Sequence, residues 1–246
     1  MNPVFREGIQ LYLLEGHGMS AYFYVIIILA PLEFLAIFLP SLDPKTWMGP
    51  ANLFKISSIA ALALIVYFGL KIVTQEIVPW KFRPLKHWIH HGGVGLSKVA
   101  RGQLALVCFH MLLMILLCTP LLVWAGAVAR AAAGTILLTI FFLLFYSISY
   151  GVWGLVAVTL WEHRVESRQT FIRCFFVFFV LLSGLVYSPL NPVAFLLSYL
   201  RQESMAPLVV FGWRGSLFAV HFLFHIFLLG SALLTYAWAL RKAGSL

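Results

Sequence analysis

Charge is scarce in this sequence. Only 10% of its 246 residues are Asp, Glu, Lys or Arg, where soluble domains carry about 25%. So few polar groups cannot cover the surface of a 27.7 kDa globule in water, which makes lipid the solvent. Acidic residues number eight, most of them in loops, and a proton-coupled carrier would have little to work with beyond Glu33. Cysteine is nearly absent: Cys108, Cys118 and Cys174 lie in apolar stretches without C-x-x-C spacing. Neither a disulfide framework nor a zinc site follows, and the three read as packing residues. There is no G-x-x-x-x-G-K-[ST], G-x-S-x-G or H-E-x-x-H sequence, no paired Asp cluster and no glycine-rich dinucleotide turn. No cleavable signal pattern precedes the first apolar run, which is expected to direct insertion itself.

Apolar residues are what the chain has in plenty, at 62% hydrophobic and 16% aromatic with a mean hydropathy of +0.97. Since about 20 apolar residues span the hydrocarbon, the sequence gives six spans, at 19–40, 51–73, 104–127, 131–160, 174–200 and 216–240. Residues 1–18 mix Arg6, Glu7, Glu15 and His17 with Val4, Phe5, Ile9 and Leu11, the pattern of a short interfacial helix. The expected fold is an all-α integral membrane protein forming a single transmembrane domain over 1–246.

The formal charge of +9 then reports orientation. With both termini in the cytoplasm, the inner segments hold twelve basic residues: Arg6, Lys71, Lys81, Arg83, Lys86, Lys98, Arg101, Arg164, Arg168, Arg173, Arg241 and Lys242. The outer ones hold Lys45, Lys55, Arg130, Arg201 and Arg214. Twelve against five is the bias of an N-in, C-in protein and removes the reason to invoke nucleic acid.

Two spans are irregular. The fifth runs past Gly184 into Tyr187-Ser188-Pro189-Leu190-Asn191-Pro192, which cannot continue a straight helix. A break near 186 is expected, followed by an outer re-entrant or interfacial helix at 193–204; together they occupy 174–204. Pro120 marks a possible kink in the third span.

Residues 74–103 are the longest polar segment and the most basic. Between Pro84 and Gly92 there is room for about two helical turns, with Leu85, Trp88 and Ile89 on one stripe and Lys86, His87 and His90 around it. Gly92-Gly93 would end the turn and Ser97 would cap the next helix. By composition alone this is an interfacial loop anchored to acidic headgroups.

The order of these features resembles a known family. An interfacial helix, two spans, a cytoplasmic helix-turn ending in Gly-Leu-Ser-Lys-Val-Ala-Arg-Gly-Gln and Pro120 and Gly134 around a short outer loop are similar to the permease subunits of ABC-2 type transporters. So are the polar loop Trp161–Arg168 and the segment Leu182–Val193 with its Asn191-Pro192. The resemblance implies half of a pore, paired with a second copy or a related permease in the bacterial inner membrane and acting as an exporter. It also implies a cytoplasmic ABC ATPase on a separate chain, which binds ATP and Mg, so that this chain holds no cofactor. The segment 79–98 would then be the coupling helix that docks the ATPase, with Leu85, Trp88 and Ile89 as apolar plugs and Lys81, Arg83 and Lys86 as rim charges.

The histidines invite a rival reading. His87-x-x-His90-His91 has the H-x-x-H-H spacing of membrane di-iron desaturases and hydroxylases, and His221-x-x-x-His225 places two imidazoles on one helical face. The two groups would nevertheless lie roughly 20 Å or more apart along the spans, which argues against a joint metal site. His110, His221 and His225 are candidates for a packed polar seam or for lining a cavity. Glu33 and Lys55, at matching depth on consecutive spans, are candidates for an interhelical ion pair, for substrate or ion coordination, or for snorkelling. A third class of function is an assembly subunit that binds partners without transport.

Overall fold

A computed structural model describes residues 1–38, 50–77, 83–85, 87–201, 208–210 and 213–245, with backbone alone at the two short strands. Lys45, Lys81 and Lys86 lie outside the described residues, as do the end of the expected first span at 39–40 and that of the outer helix at 202–204.

Six helices are long and apolar enough to cross a membrane, which makes this a multi-pass membrane protein of almost entirely helical structure. They are α2 (Met19–Phe38), α3 (Leu53–Val73), α4 (Leu96–Val128), α5 (Ala133–Leu160), the α6 span beginning at Val165, and α9 (Leu217–Gly244). Helices are what such runs must form, because in hydrocarbon every backbone amide has to find its partner within the segment. The α3 and α5 helices sit centrally, while α6 and α9 are peripheral. Small residues set the closeness of the central helices: a Cβ at Gly151 of α5 would lie 2.8 Å from Met111 Cε of α4.

Two spans begin earlier than their apolar runs. The fourth helix starts at Leu96 and the sixth at Val165, against expected starts at 104 and 174. Hydropathy marks where lipid begins, while the helices continue into polar sequence, where Lys98, Arg101 and Glu166 are exposed. Ser97 does not cap α4. Gly95 is the N-cap and makes no side-chain cap bond, and its carbonyl accepts from Lys98 and Val99 N–H. The α4 helix runs on through Pro120.

The break in the fifth span lies where the prolines put it. After α6 (Val165–Phe175), a π-helical stretch Phe176–Leu182 leads into the short α7 (Ser183–Val186), and Tyr187 is extended at φ −155°. Asn191 ties the break together. Its Nδ2 donates to Val180 O at 3.0 Å and Ser183 Oγ at 2.9 Å, and its Oδ1 accepts Ala194 N–H at 2.8 Å. One side chain thereby closes the outgoing helix and caps the outer α8 (Pro192–Arg201), which has Pro at its first position. A two-stranded antiparallel hairpin follows, β1 (Leu208–Val210) with β2 (Trp213–Gly215), pairing Val209 with Arg214. At three residues each, the strands are a minor addition to a structure that is otherwise helical, as expected of an all-α membrane protein.

The N-terminal segment folds as α1 (Pro3–Ile9) and a π-helical turn, Gln10–Leu14. It lies against α4, and Tyr12 Oη donates to Ile72 O at 3.0 Å. Burial pushes the Tyr12 hydroxyl well above the ordinary phenol range, Tyr22 adding to the effect and Arg168 opposing it, so Tyr12 remains a donor.

Candidate functional site

In the segment joining α3 to α4, Arg83-Pro84-Leu85 lie just before a π-helical turn at His87–His91. Gly92 N–H donates to His87 O at 2.8 Å and Val94 N–H to Trp88 O at 3.1 Å. Gly93, between them, is left-handed at φ 59°, a conformation in which a side chain would be strained. The sequence anticipates this glycine exit.

Two carboxylates from other parts of the chain hold the segment. Glu7 of α1 accepts Arg83 N–H at 3.1 Å and pairs with Arg83 Nε at 3.2 Å. Glu162, between α5 and α6, accepts Leu85 N–H. The Arg83 guanidinium lies 5.4 Å from the Trp88 ring centroid, within cation–π range. Around this clasp, Lys71 pairs with Glu76 at 3.8 Å. Arg168 of α6 is only 4% exposed. The sequence shows Arg168 only as a cation of the polar loop and gives Glu7 and Glu162 no role; the scarcity of acids, eight in all, is the signal that singles them out.

Leu85 and Trp88 are not exposed plugs. They are 3% and 6% exposed and belong to the same apolar core as the spans. The apolar stripe has the body of its own chain to bury against, and the two carboxylate bonds press it there. Ile89 is half-buried, and the outward positions are Arg83, Pro84, His90 and His91.

Within the spans, Glu33 and Lys55 do not pair. Lys55 Nζ donates to Asn52 Oδ1 at 3.2 Å, back toward its own helix start. The Glu33 carboxyl is 0% exposed, and neither of its oxygens makes a hydrogen bond. The lysine finds a nearer partner that costs no second buried charge.

His221 and His225 form a seam. His221 Nδ1 donates to Pro189 O at 2.6 Å and His225 Nδ1 to His221 O at 3.0 Å. With Nδ1 protonated, each neutral ring presents Nε2 as an acceptor, met by Tyr146 Oη at 2.7 Å and Tyr150 Oη at 3.0 Å. Phe195 of α8 stacks on His221 at 3.8 Å. All four ring nitrogens are thus occupied: one fastens the broken segment to α9, two join α9 to α5 and one bonds within α9, so none is free for a metal. Among the described residues no group of three or more His, Cys, Asp or Glu is placed to hold a metal ion.

His110 is different. Tyr22 Oη shares a hydrogen bond with its Nδ1, while its Nε2 is buried without a partner. The ring borders a cavity of about 20 Å³ shared with Tyr12, Gln75 and Gln103, about the room one water needs. Gln103 Oε1 accepts from Tyr236 Oη at 2.5 Å. No family model, no curated protein and no solved structure matches this chain.

Proposed function

We propose that the chain is the permease subunit of an ATP-driven transporter of the ABC-2 type, working as an exporter in a bacterial inner membrane with both termini in the cytoplasm. The observation that carries this reading is the clasp on the segment between α3 and α4. Glu7 and Glu162 fasten that segment to α1 and to the start of the α6 span, so a push on it reaches several spans at once. A stiff contact of this kind is what rigid-body coupling requires. In this reading ATP and Mg belong to a separate ATPase, in keeping with a sequence that has no phosphate-binding loop.

In this reading the docking face is Arg83, Pro84, Ile89, His90 and His91, because Leu85 and Trp88 are buried, and the clasp passes its movement inward. A second copy or a related permease completes the pore. The exposed Phe34, Leu35 and Phe38 of α2 and Leu181 and Leu185 of the fifth span offer apolar surface to it and to lipid.

The test is isolation of the intact assembly from its native membrane in mild detergent, followed by an assay of ATP hydrolysis. A stoichiometric ATPase subunit whose activity depends on this chain supports the reading. A chain that purifies without any nucleotide-hydrolysing partner and carries stoichiometric iron instead contradicts it.

A further inference from the structure

An open groove of about 460 Å³ lies between α1 and the first turns of α4, bordered by Phe5, Ala105, Lys98 and Arg101. Its walls are fixed. Asn2 Oδ1 accepts Val4 N–H at 3.0 Å while its Nδ2 donates to Lys98 O at 2.6 Å. A Cβ at Gly102 would lie 2.6 Å from Asn2 Oδ1 and 2.9 Å from Val4 Cβ, so α1 is seated on α4 as closely as a glycine allows.

The two cations at its rim are exposed, three residues apart on one helical face, and make no ion pair among the described residues. The acids of the N-terminal segment are engaged elsewhere, Glu7 with Arg83 and Glu15 with His17. Arg101 Nε donates to Ser97 O at 3.2 Å, which steadies the guanidinium and leaves its other N–H groups unspent. The start of α4, without a side-chain cap, adds partial positive charge nearby.

Below Arg101, the exposed residues of α4 continue as Ala105, Leu112 and Leu116. Steps of four, seven and four residues keep them on one stripe. A dry apolar track therefore descends from a positively charged rim at the start of a membrane span. A free phosphate would use the rim and leave the track unused, whereas an amphiphile with an anionic head uses both.

We propose that this groove binds an anionic glycerophospholipid. Lys98 and Arg101 pair with its phosphodiester oxygens, Phe5 borders the headgroup, and an acyl chain lies along Ala105, Leu112 and Leu116. The site is independent of the transport reading, because it requires only that the chain be in a bilayer.

Native mass spectrometry of the full chain released from nanodiscs of mixed phosphatidylglycerol and phosphatidylcholine tests this. The wild type retains phosphatidylglycerol in preference. With each surface cation worth about fivefold in affinity, Lys98→Gln together with Arg101→Gln weakens retention about 25-fold, with the melting temperature unchanged because both side chains are exposed. The charge-conserving pair Lys98→Arg and Arg101→Lys retains the lipid, and Arg241→Gln, a control cation on α9, has little effect. Should the double glutamine variant fail to fold, Lys98→Gln alone is expected to show the fivefold loss. Equal retention by wild type and glutamine variants overturns the proposal. So does displacement of phosphatidylglycerol by millimolar inorganic phosphate, which would mark the groove as a simple oxyanion site.

Discussion

Glu162 accepts the backbone N–H of Leu85, a residue 77 positions earlier in the chain, and so joins the connection between α5 and α6 to the segment between α3 and α4. A charged acceptor on a partly buried amide is worth about 1.5–3 kcal/mol. Glu162→Ala is expected to free the segment 83–91, seen as faster amide exchange there with little change in the spans. Glu162→Gln keeps an acceptor and should show a smaller effect. Equal exchange in all three proteins would mean that the bond does not hold the segment.

Trp88→Ala removes a core side chain and is expected to destabilise the protein by about 3–5 kcal/mol. Its effect on partner binding therefore cannot be separated from unfolding. His90→Glu alters an exposed position and should leave the melting temperature within about 2 °C, since surface changes stay within about 0.5 kcal/mol. Thermal melts of the two variants in the same detergent check the contrast.

Asn191→Ala removes a helix cap and two further hydrogen bonds at once. A cap alone is worth about 1 kcal/mol, and a buried carbonyl left without its donor adds about 1–3 kcal/mol. The loss should be local, with protease cleavage appearing between Val186 and Pro192. His221→Phe, which releases Pro189 O, should open the same region, and the double variant should cost less than the sum because both fasten one element.

Lys55→Met should leave the infrared band of the Glu33 carboxyl where it is in the wild type, since Lys55 turns to Asn52. A shifted band would restore the ion pair that matching depth suggests. Glu33→Gln is expected to match or exceed wild-type stability, because it removes an acidic group that is buried without a salt bridge.

The spans were legible because apolar run length is a direct demand of the bilayer, and the break at Pro189 to Pro192 because proline cannot donate. Gly93 was legible too, as a glycine ending a turn. Helix ends were not: Val165 and Leu96 begin helices in polar sequence, where hydropathy gives no signal. The facing of Leu85 and Trp88 was also hidden, since an amphipathic stripe shows that one side is apolar and leaves open whether the chain or a partner covers it. Depth placed Glu33 beside Lys55, but depth does not fix rotation about the helix axis, and Asn52 was closer. The paired strands Leu208–Val210 and Trp213–Gly215 have three residues each, too short for a readable alternation.

The most direct test of the docking account is site-specific photocrosslinking in native membranes, with the photoreactive residue placed at position 90 or at position 88. An ATPase subunit on the outward face of the clasped segment gives an adduct from position 90 and none from position 88, and the adduct weakens in Arg83→Glu. No ATPase adduct from position 90, or one from position 88 alone, would contradict the account.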